Sequence, residues 1–442
     1  MMAGLLQCCK RRLASGLLAQ EGNSAMMGTM MREEVVQQLG HALEKALPEG
    51  LDWLRRMVEI NTFTANPEGV RKLADLTVEC FACLDLQAEI VPSRDARHGV
   101  HLFMSNRSAP LGDAIVLVTH LDTVFPPEEE IRHDFRWREE PSEGRIYGPG
   151  TVDIKGGTIL IWLILKALKS VVPEWYAQQT WLIAANAAEE VIGSDFAERT
   201  TERCSGRARA VLVFEGGPCT DEKWHLVTAR KGRSEYEIRS TGRAAHAGSA
   251  MAEGINAVVA LAEVIPAVAA LGNTAADLTV NVAMISGGTV LNRVPHEAKA
   301  EVEVRAFDPE VLVEVDAALK TLAGRRENGA VIEVERVGQT RSWPEDEGGR
   351  DLFKVWNTAA ANLGMKVVKT RRGGLSDANY LCGLGPTLDA LGPVGANAHC
   401  SENDPRHGKR PEYVEPASFL PKAMLNAVAL LDLLGAESSL QR

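Results

Sequence analysis

A histidine and an aspartate, His120 and Asp122, close an apolar run of four residues, Ile115-Val116-Leu117-Val118, with Thr119 between. A continuous apolar run of that kind reads as a strand buried on both faces. The C-terminal end of such a strand is where open α/β sheets place their sites. The imidazole can ligate a metal, and an acid two residues on can hold it in one tautomer. Alone, the pair is more often the mark of a hydrogen-bonded structural histidine than of a ligand. Four more ligand types fall at strand or loop ends: Asp153, Glu190, Glu215 and His399. Imidazole and carboxylate together suit zinc, with cobalt or manganese as substitutes. Two histidines and three carboxylates can hold two metals if one carboxylate bridges. Each residue also has a plain reading; Asp153 could merely cap the helix that follows it. Glu189-Glu190 could be an exposed acidic turn, but the apolar Ile183-Ala184-Ala185 leads into it. Two like charges there are unfavourable without a cation between them.

The elements that must position these groups follow from periodicity. Val35, Val36, Leu39, Leu43 and Leu47 recur at helical spacing, and Pro48-Glu49-Gly50 predicts a stop. A second helix is expected over Leu51–Ile60 and a third from Pro67 to about Leu84. Strands are expected at Ala88–Val91, Gly99–Met104 and Ala114–Thr119. Pro126–Pro149, polar and rich in acids, reads as a long surface loop. Gly150 to Gly157 then opens the apolar helix Thr158–Val172, and buried strands follow at Trp181–Ala187 and Ala210–Phe214. Strands alternating with helices predict a mostly parallel sheet with helices on both faces. From Leu226 the order changes to βαββαβ, with Leu226–Ser240 as one strand, which predicts a split-βαβ domain. The first pattern resumes near Arg350, with a short strand at Thr387–Leu391 and a helix at Pro416–Leu434. The expected organisation is an extension over residues 1–32, a catalytic domain over 33–224 and 341–442, and an inserted α+β domain over 225–340.

Bulk properties set limits. The 442 residues carry a net charge of −11, which argues against a nucleic-acid partner. The eight cysteines have no disulfide rhythm and suit a reducing compartment. Cys80 and Cys83 form a CxxC with no second pair, and read as two thiols on one helix face. The apolar stretch Ile159–Leu168 is too short to span a membrane. A cytoplasmic location is expected, with the basic start around Lys10-Arg11-Arg12 leaving an organelle-targeting segment as the alternative.

These motifs together resemble the two-zinc carboxypeptidase/deacylase family, which includes glutamate carboxypeptidase, acetylornithine deacetylase and succinyl-diaminopimelate desuccinylase. The resemblance rests on His120-Leu121-Asp122-Thr123-Val124, Gly150-Thr151-Val152-Asp153-Ile154-Lys155-Gly156-Gly157, Ala188-Glu189-Glu190-Val191-Ile192-Gly193-Ser194 and Phe214-Glu215. It extends from about Leu51 to Leu434, with an inserted domain in the expected place. It implies that His120 and Glu215 ligate one zinc, Glu190 and His399 the other, and that Asp153 bridges them. It implies further that Glu189 is the general base, that Asp122 orients His120, and that the Asp153–Ile154 peptide is cis. In the inserted domain, Gly242 to His246 matches the family's Gly-x-x-x-His segment, whose histidine reaches an active site, usually the partner subunit's, and supports an oxyanion. Asn292 and Arg305 match positions that hold the substrate's carboxylate end, and Gly374 and Ser376 lie in a segment matching a substrate-side loop. A polar insert, Cys400 to Pro411, separates His399 from Glu412-Tyr413-Val414 and offers His407 as a second candidate; the loop Gly392-Pro393-Val394-Gly395 favours His399.

The resemblance implies hydrolysis of an amide beside a free carboxylate, in a small peptide or an N-acyl amino acid, by a homodimer joined through the inserted domain. A carboxypeptidase releasing a C-terminal amino acid is the first reading, and an N-acyl-amino-acid deacylase the second. A catalytically silent binding protein on the same fold is the third, against which the complete set of ligands and base argues.

Overall fold

The computed structural model describes residues 23–435, apart from Ile192 and Ser194. The part of the expected extension before residue 23 lies outside the described residues, while residues 23–32 belong to the first helix. Two compact units divide the chain. One comprises Ala229–Glu345 with Arg371–Tyr380, and the other takes the remainder.

The larger unit opens with α1 (Asn23–Val58) and α2 (Pro67–Phe81), followed by β1 (Gln87–Pro92), β2 (Val100–Ser105) and β3 (Ala114–His120). Next come α3 (Pro127–His133), β4 (Arg138–Glu140), β5 (Arg145–Tyr147), α4 (Lys155–Val171) and α5 (Pro173–Gln178). The first stretch ends with β6 (Trp181–Asn186), α6 (Asp195–Arg203), β7 (Ala208–Val213), β8 (Cys219–Thr220) and β9 (Lys223–Arg230).

The predicted break at Pro48 is absent: α1 runs through it. Proline in a helix interior loses a hydrogen bond and crowds the preceding turn, so tertiary packing has to compensate. Gly50 lies so close to α4 that a Cβ there would meet Ile159, Trp162 and Leu163 at 3.2–3.3 Å. That close seat holds α1 across the proline. The helix α4 is buried almost all round, as its apolar sequence requires, and Trp162 donates Nε1–H to the Cys80 carbonyl at 2.8 Å. The stretch read as a loop over 126–149 instead contains α3, β4 and β5. Pro127 at the helix start and three glutamates in the first turn stabilise α3 through the helix dipole; its polarity hid it.

The smaller unit includes β10 (Gly232–Thr241), α7 (Ala257–Ala269), β11 (Thr279–Gly287), β12 (Glu297–Ala306), α8 (Pro309–Thr321), β13 (Gly324–Arg325) and β14 (Val331–Thr340). They form an antiparallel sheet in the order β11-β12-β10-β14-β13. Burial alternates residue by residue along β10 and β12, so one face packs on an apolar core that includes Leu261, Val264, Leu312 and Leu319. The single strand predicted over Leu226–Ser240 is two, β9 and β10, in different sheets. At the break, a Cβ on Gly232 would lie 2.5 Å from the Ser342 nitrogen, so only glycine fits that approach.

The chain returns through α9 (Glu347–Asn362), β15 (Lys366–Arg372), α10 (Asp377–Leu381) and β16 (Thr387–Leu388). It finishes with β17 (Gly395–Ala396), β18 (Tyr413–Val414) and α11 (Phe419–Leu433). The main sheet has the order β1-β2-β6-β3-β7-β16. β3 pairs in parallel with β6 and β7, and β16 with β7, while β1 and β2 are antiparallel additions at one side. His120 stands level with Asn186, and Val118 with Val213. The parallel strands therefore release His120, Glu189-Glu190 and Glu215 at one sheet edge.

Candidate metal centre

His120 is buried at the end of β3. Its Nε2 lies 3.0 Å from Asp153 Oδ1 and 3.8 Å from Glu215 Oε1. Its Nδ1 lies 3.0 Å from the Asp122 carbonyl oxygen and 3.3 Å from Asp122 Oδ1. An acceptor at Nδ1 puts the ring proton there and leaves Nε2 as the ligand atom. The Asp122 carboxylate does more than face the ring. It accepts the N–H of Glu189 at 3.1 Å and of Glu190 at 3.2 Å, and the Thr64 hydroxyl at 2.7 Å. One buried carboxylate thus ties β3 to the acidic turn after β6.

Asp153 is the shared member. His120, Asp153 and Glu215 offer ligand atoms within 4.8 Å of one another, and so do Asp153, Glu190 and His399. His399 Nε2 lies 3.1 Å from Glu190 Oε2 and 3.5 Å from Asp153 Oδ2. The two oxygens of Asp153 therefore face different imidazoles. Burial opposes ionisation of Asp153, but His120 and His399 overcome it and hold its carboxyl below the usual range. Burial, with the Asp153 charge added, raises Glu190 to about 6. Asp153 and Glu190 raise His399 to about 11. Two imidazoles among three carboxylates, with one carboxylate common to both groups, fit a pair of divalent cations of the zinc type.

The loop before α4 is fixed from behind. Glu412, fully buried, accepts the N–H of Val152 at 2.8 Å, of Asp153 at 3.0 Å and of Gly150 at 3.3 Å. Burial first, and then the Asp153 charge, push Glu412 up to about 8 against those three donors. Lys155, also buried, donates to the Ile60 carbonyl at 3.1 Å; burial pushes it down to about 8, against the pull of Glu130 and Glu412. The Asp153–Ile154 peptide is cis. Neither Glu412 nor Thr64 was singled out from sequence. Glu412 carried a signal, an acid directly before the short strand β18, whereas nothing marked Thr64.

His399 sits at φ +67°, a left-handed conformation rarely adopted by residues other than glycine. The 400–411 insert is pinned where it leaves the site: the Ser401 hydroxyl meets His133 Nδ1 at 2.7 Å and Glu129, and the Glu412 N–H donates to the Cys400 carbonyl at 2.8 Å. His407 lies apart from both ligand groups, at the surface, with Nδ1 2.6 Å from Asp404 Oδ2. A cavity of about 520 Å³ lined by His133, Trp137, Tyr147, Ser401 and Asn403 touches the insert but none of the ligands.

The remaining expected site residues belong to the smaller unit. Gly248 and Ser249 donate N–H to His246 Nδ1, both at 3.1 Å. The ring proton is therefore on Nε2, which makes the exposed ring a donor. Asn292 is held beside it, its carbonyl accepting from the Ala247 N–H at 3.0 Å. Arg305 is engaged: its fork donates to Glu303 at 2.7 and 2.9 Å and to the Gly373 carbonyl at 3.1 Å. Arg230 donates to the carbonyls of Gly374 and Leu375 at 3.0 and 3.1 Å. Ser376 is buried, and its hydroxyl accepts the Ala378 N–H at 3.2 Å at the start of α10.

Residues 228–330 match a family model described as a peptidase dimerisation domain. The chain is 28% identical over 418 residues to carboxypeptidase G2 of Pseudomonas sp. (strain RS-16), spanning 92% of this chain and 95% of that one. An aminopeptidase, PepT, from Bacillus cereus ATCC 10987 has the same fold, with a TM-score of 0.67 and 21% identity over 88% of this chain and 99% of that one. The M20 family metallo-carboxypeptidase Sso-CP2 from Sulfolobus solfataricus gives a TM-score of 0.64 and 17% identity, again over 88% and 99%. Likeness at these identities speaks for the fold.

Two predictions follow from the geometry. Asp153→Ala should remove divalent-metal binding at both ligand groups, whereas Glu190→Ala or Glu215→Ala should each weaken one; metal titration of chelator-treated protein counts the sites. Glu412→Ala leaves three buried N–H groups unpaired. It should cost about 3 kcal/mol or more of stability and lower divalent-metal affinity about 10–100-fold, read by melting and by competition with a chelator.

Proposed function

We propose that this chain, a metallo-carboxypeptidase-like hydrolase of the two-zinc carboxypeptidase/deacylase family, cleaves an amide bond beside a free carboxylate and releases a C-terminal amino acid. The observation that carries this reading is the position of Asp153, common to two ligand groups, with Glu189 next to one of the ligands. In this reading His120 and Glu215 hold one zinc, Glu190 and His399 the other, and Asp153 both. When bound, the two ions supply Lewis acidity toward the amide carbonyl and lower the pKa of water. Glu189 takes the proton of the attacking water and delivers it to the leaving nitrogen. Its backbone is anchored through Asp122, so the carboxylate starts from a fixed point. His246 donates its Nε2–H to the developing oxyanion, a role its fixed tautomer suits.

Removal of the base should separate binding from chemistry. Glu189→Gln should keep its zinc and lose about 10²–10⁴ in turnover. The assay is a panel of dipeptides and N-acyl amino acids ending in Glu, Asp, Ala or Arg. Undiminished turnover would remove Glu189 from the mechanism, and faster cleavage of the N-acyl amino acids would make the enzyme a deacylase.

The assembly proposed is a homodimer through the smaller unit. β11 is an edge strand of its sheet, and Met284 and Ile285 on it are more than half exposed. An apolar edge strand invites pairing with another chain. Ile285→Asp should shift the protein to monomer in sedimentation analysis; an unchanged dimer would place the interface elsewhere.

A further inference from the structure

Beyond the end of β6, four consecutive N–H groups are received by side chains rather than by a strand. The Ala188 N–H donates to Asn186 Oδ1 at 3.0 Å, and those of Glu189 and Glu190 go to Asp122. The first of the four belongs to Ala187, which is fully buried, and it donates to His101 Nδ1 at 3.1 Å. His101 stands on β2 and is wholly shielded from solvent. A neutral ring that accepts at Nδ1 carries its proton on Nε2, and that nitrogen lies 3.2 Å from Asp195 Oδ2. The approach is too bent for a full hydrogen bond, but it sets the N–H dipole against a carboxylate. Asp195, at the start of α6, is itself held. Its Oδ2 accepts the Arg94 N–H at 2.8 Å and the Arg199 Nε–H at 3.2 Å. The rings of Phe196 and Phe103 pack about the imidazole, with centroids 5.5 and 6.5 Å away.

A buried histidine on a backbone amide serves many folds without touching their chemistry. Here its place gives it a narrower task. Each ring nitrogen faces a fixed partner and phenyl rings pack beside it, so the imidazole is held in one orientation and one tautomer. Burial lowers its pKa against the pull of Asp195, which keeps the ring neutral and Nδ1 an acceptor. Ala187 lies two residues before Glu189, so the direction of its N–H sets where the acidic turn departs from the sheet. The backbone before and at Glu189 is thus held at two points, by His101 from β2 and by Asp122 from the end of β3. With the first support gone, a buried N–H is left unpaired, and the turn gains by pivoting toward another acceptor. We infer that His101, oriented by Asp195, is a positioning residue that aims the Glu189 carboxylate. The catalytic consequence rests on the reading of Glu189 as the general base; the hold on the turn does not.

The test compares His101→Leu, which removes the acceptor, with His101→Asn, whose amide oxygen takes the place of Nδ1. Both are made in the full chain, alone and combined with Glu189→Gln. Amide hydrogen exchange over residues 187–190 reads the turn without turnover, and kcat, KM and metal content are measured beside it. His101→Leu should speed that exchange about 10-fold or more and lower kcat about 10- to 100-fold, with KM and metal content near those of the wild type. His101→Asn should restore most of both losses. In the Glu189→Gln background, His101→Leu should cost no further turnover, because the group it aims is gone. A role confined to the fold would instead cost the same factor again, and that result overturns the inference. If His101→Leu fails to fold, His101→Gln takes its place, with its amide directed toward Asp195 and away from Ala187. Unchanged exchange over 187–190, or faster exchange with kcat unaltered, also overturns the inference and leaves Glu189 as the base. Full turnover in Glu189→Gln alone overturns the reading of Glu189, and the exchange measurement still decides whether His101 holds the turn.

Discussion

The Asp153 carboxylate, with one oxygen toward His120 and the other toward His399, is the constraint on which the larger unit depends. Three carboxylates and two imidazoles sharing so small a volume repel or attract strongly enough that none can be placed independently. Asp153 and Glu190 draw positive charge to this point, raising His399 above its ordinary range. A divalent cation requires the ligating nitrogens deprotonated, so metal binding at these groups is linked to proton release.

Such a cluster needs a rigid frame, and the frame is built in layers. The parallel strands β3, β6 and β7 are buried along their lengths, so their ends cannot shift without disturbing the core. Two carboxyl groups behind the ligand groups then lock the loops between. Asp122 gathers the amides of Glu189 and Glu190, and Glu412 gathers those of Gly150, Val152 and Asp153. Each uses a carboxyl group to satisfy backbone donors at places where no strand can do so. The result is that all three acidic ligands nearest these loops have their backbones fixed by another acid or by the sheet itself.

Much of this was legible because burial leaves strong marks. Continuous apolar runs ending in His120 and before Glu189-Glu190 specify parallel strands and, through them, the edge where ligands gather. The alternation of Tyr236 and Ile238 announced the inserted sheet. What was missed has weaker local signals. The helix α3 is polar on its surface, and its only marks are a proline and a run of glutamates. The continuity of α1 through Pro48 depends on Gly50 meeting α4, a contact between residues more than a hundred positions apart that no local pattern carries. Glu412 and Thr64 act through backbone amides or a distant carboxylate, and hydrogen bonds of that kind have no spacing rule.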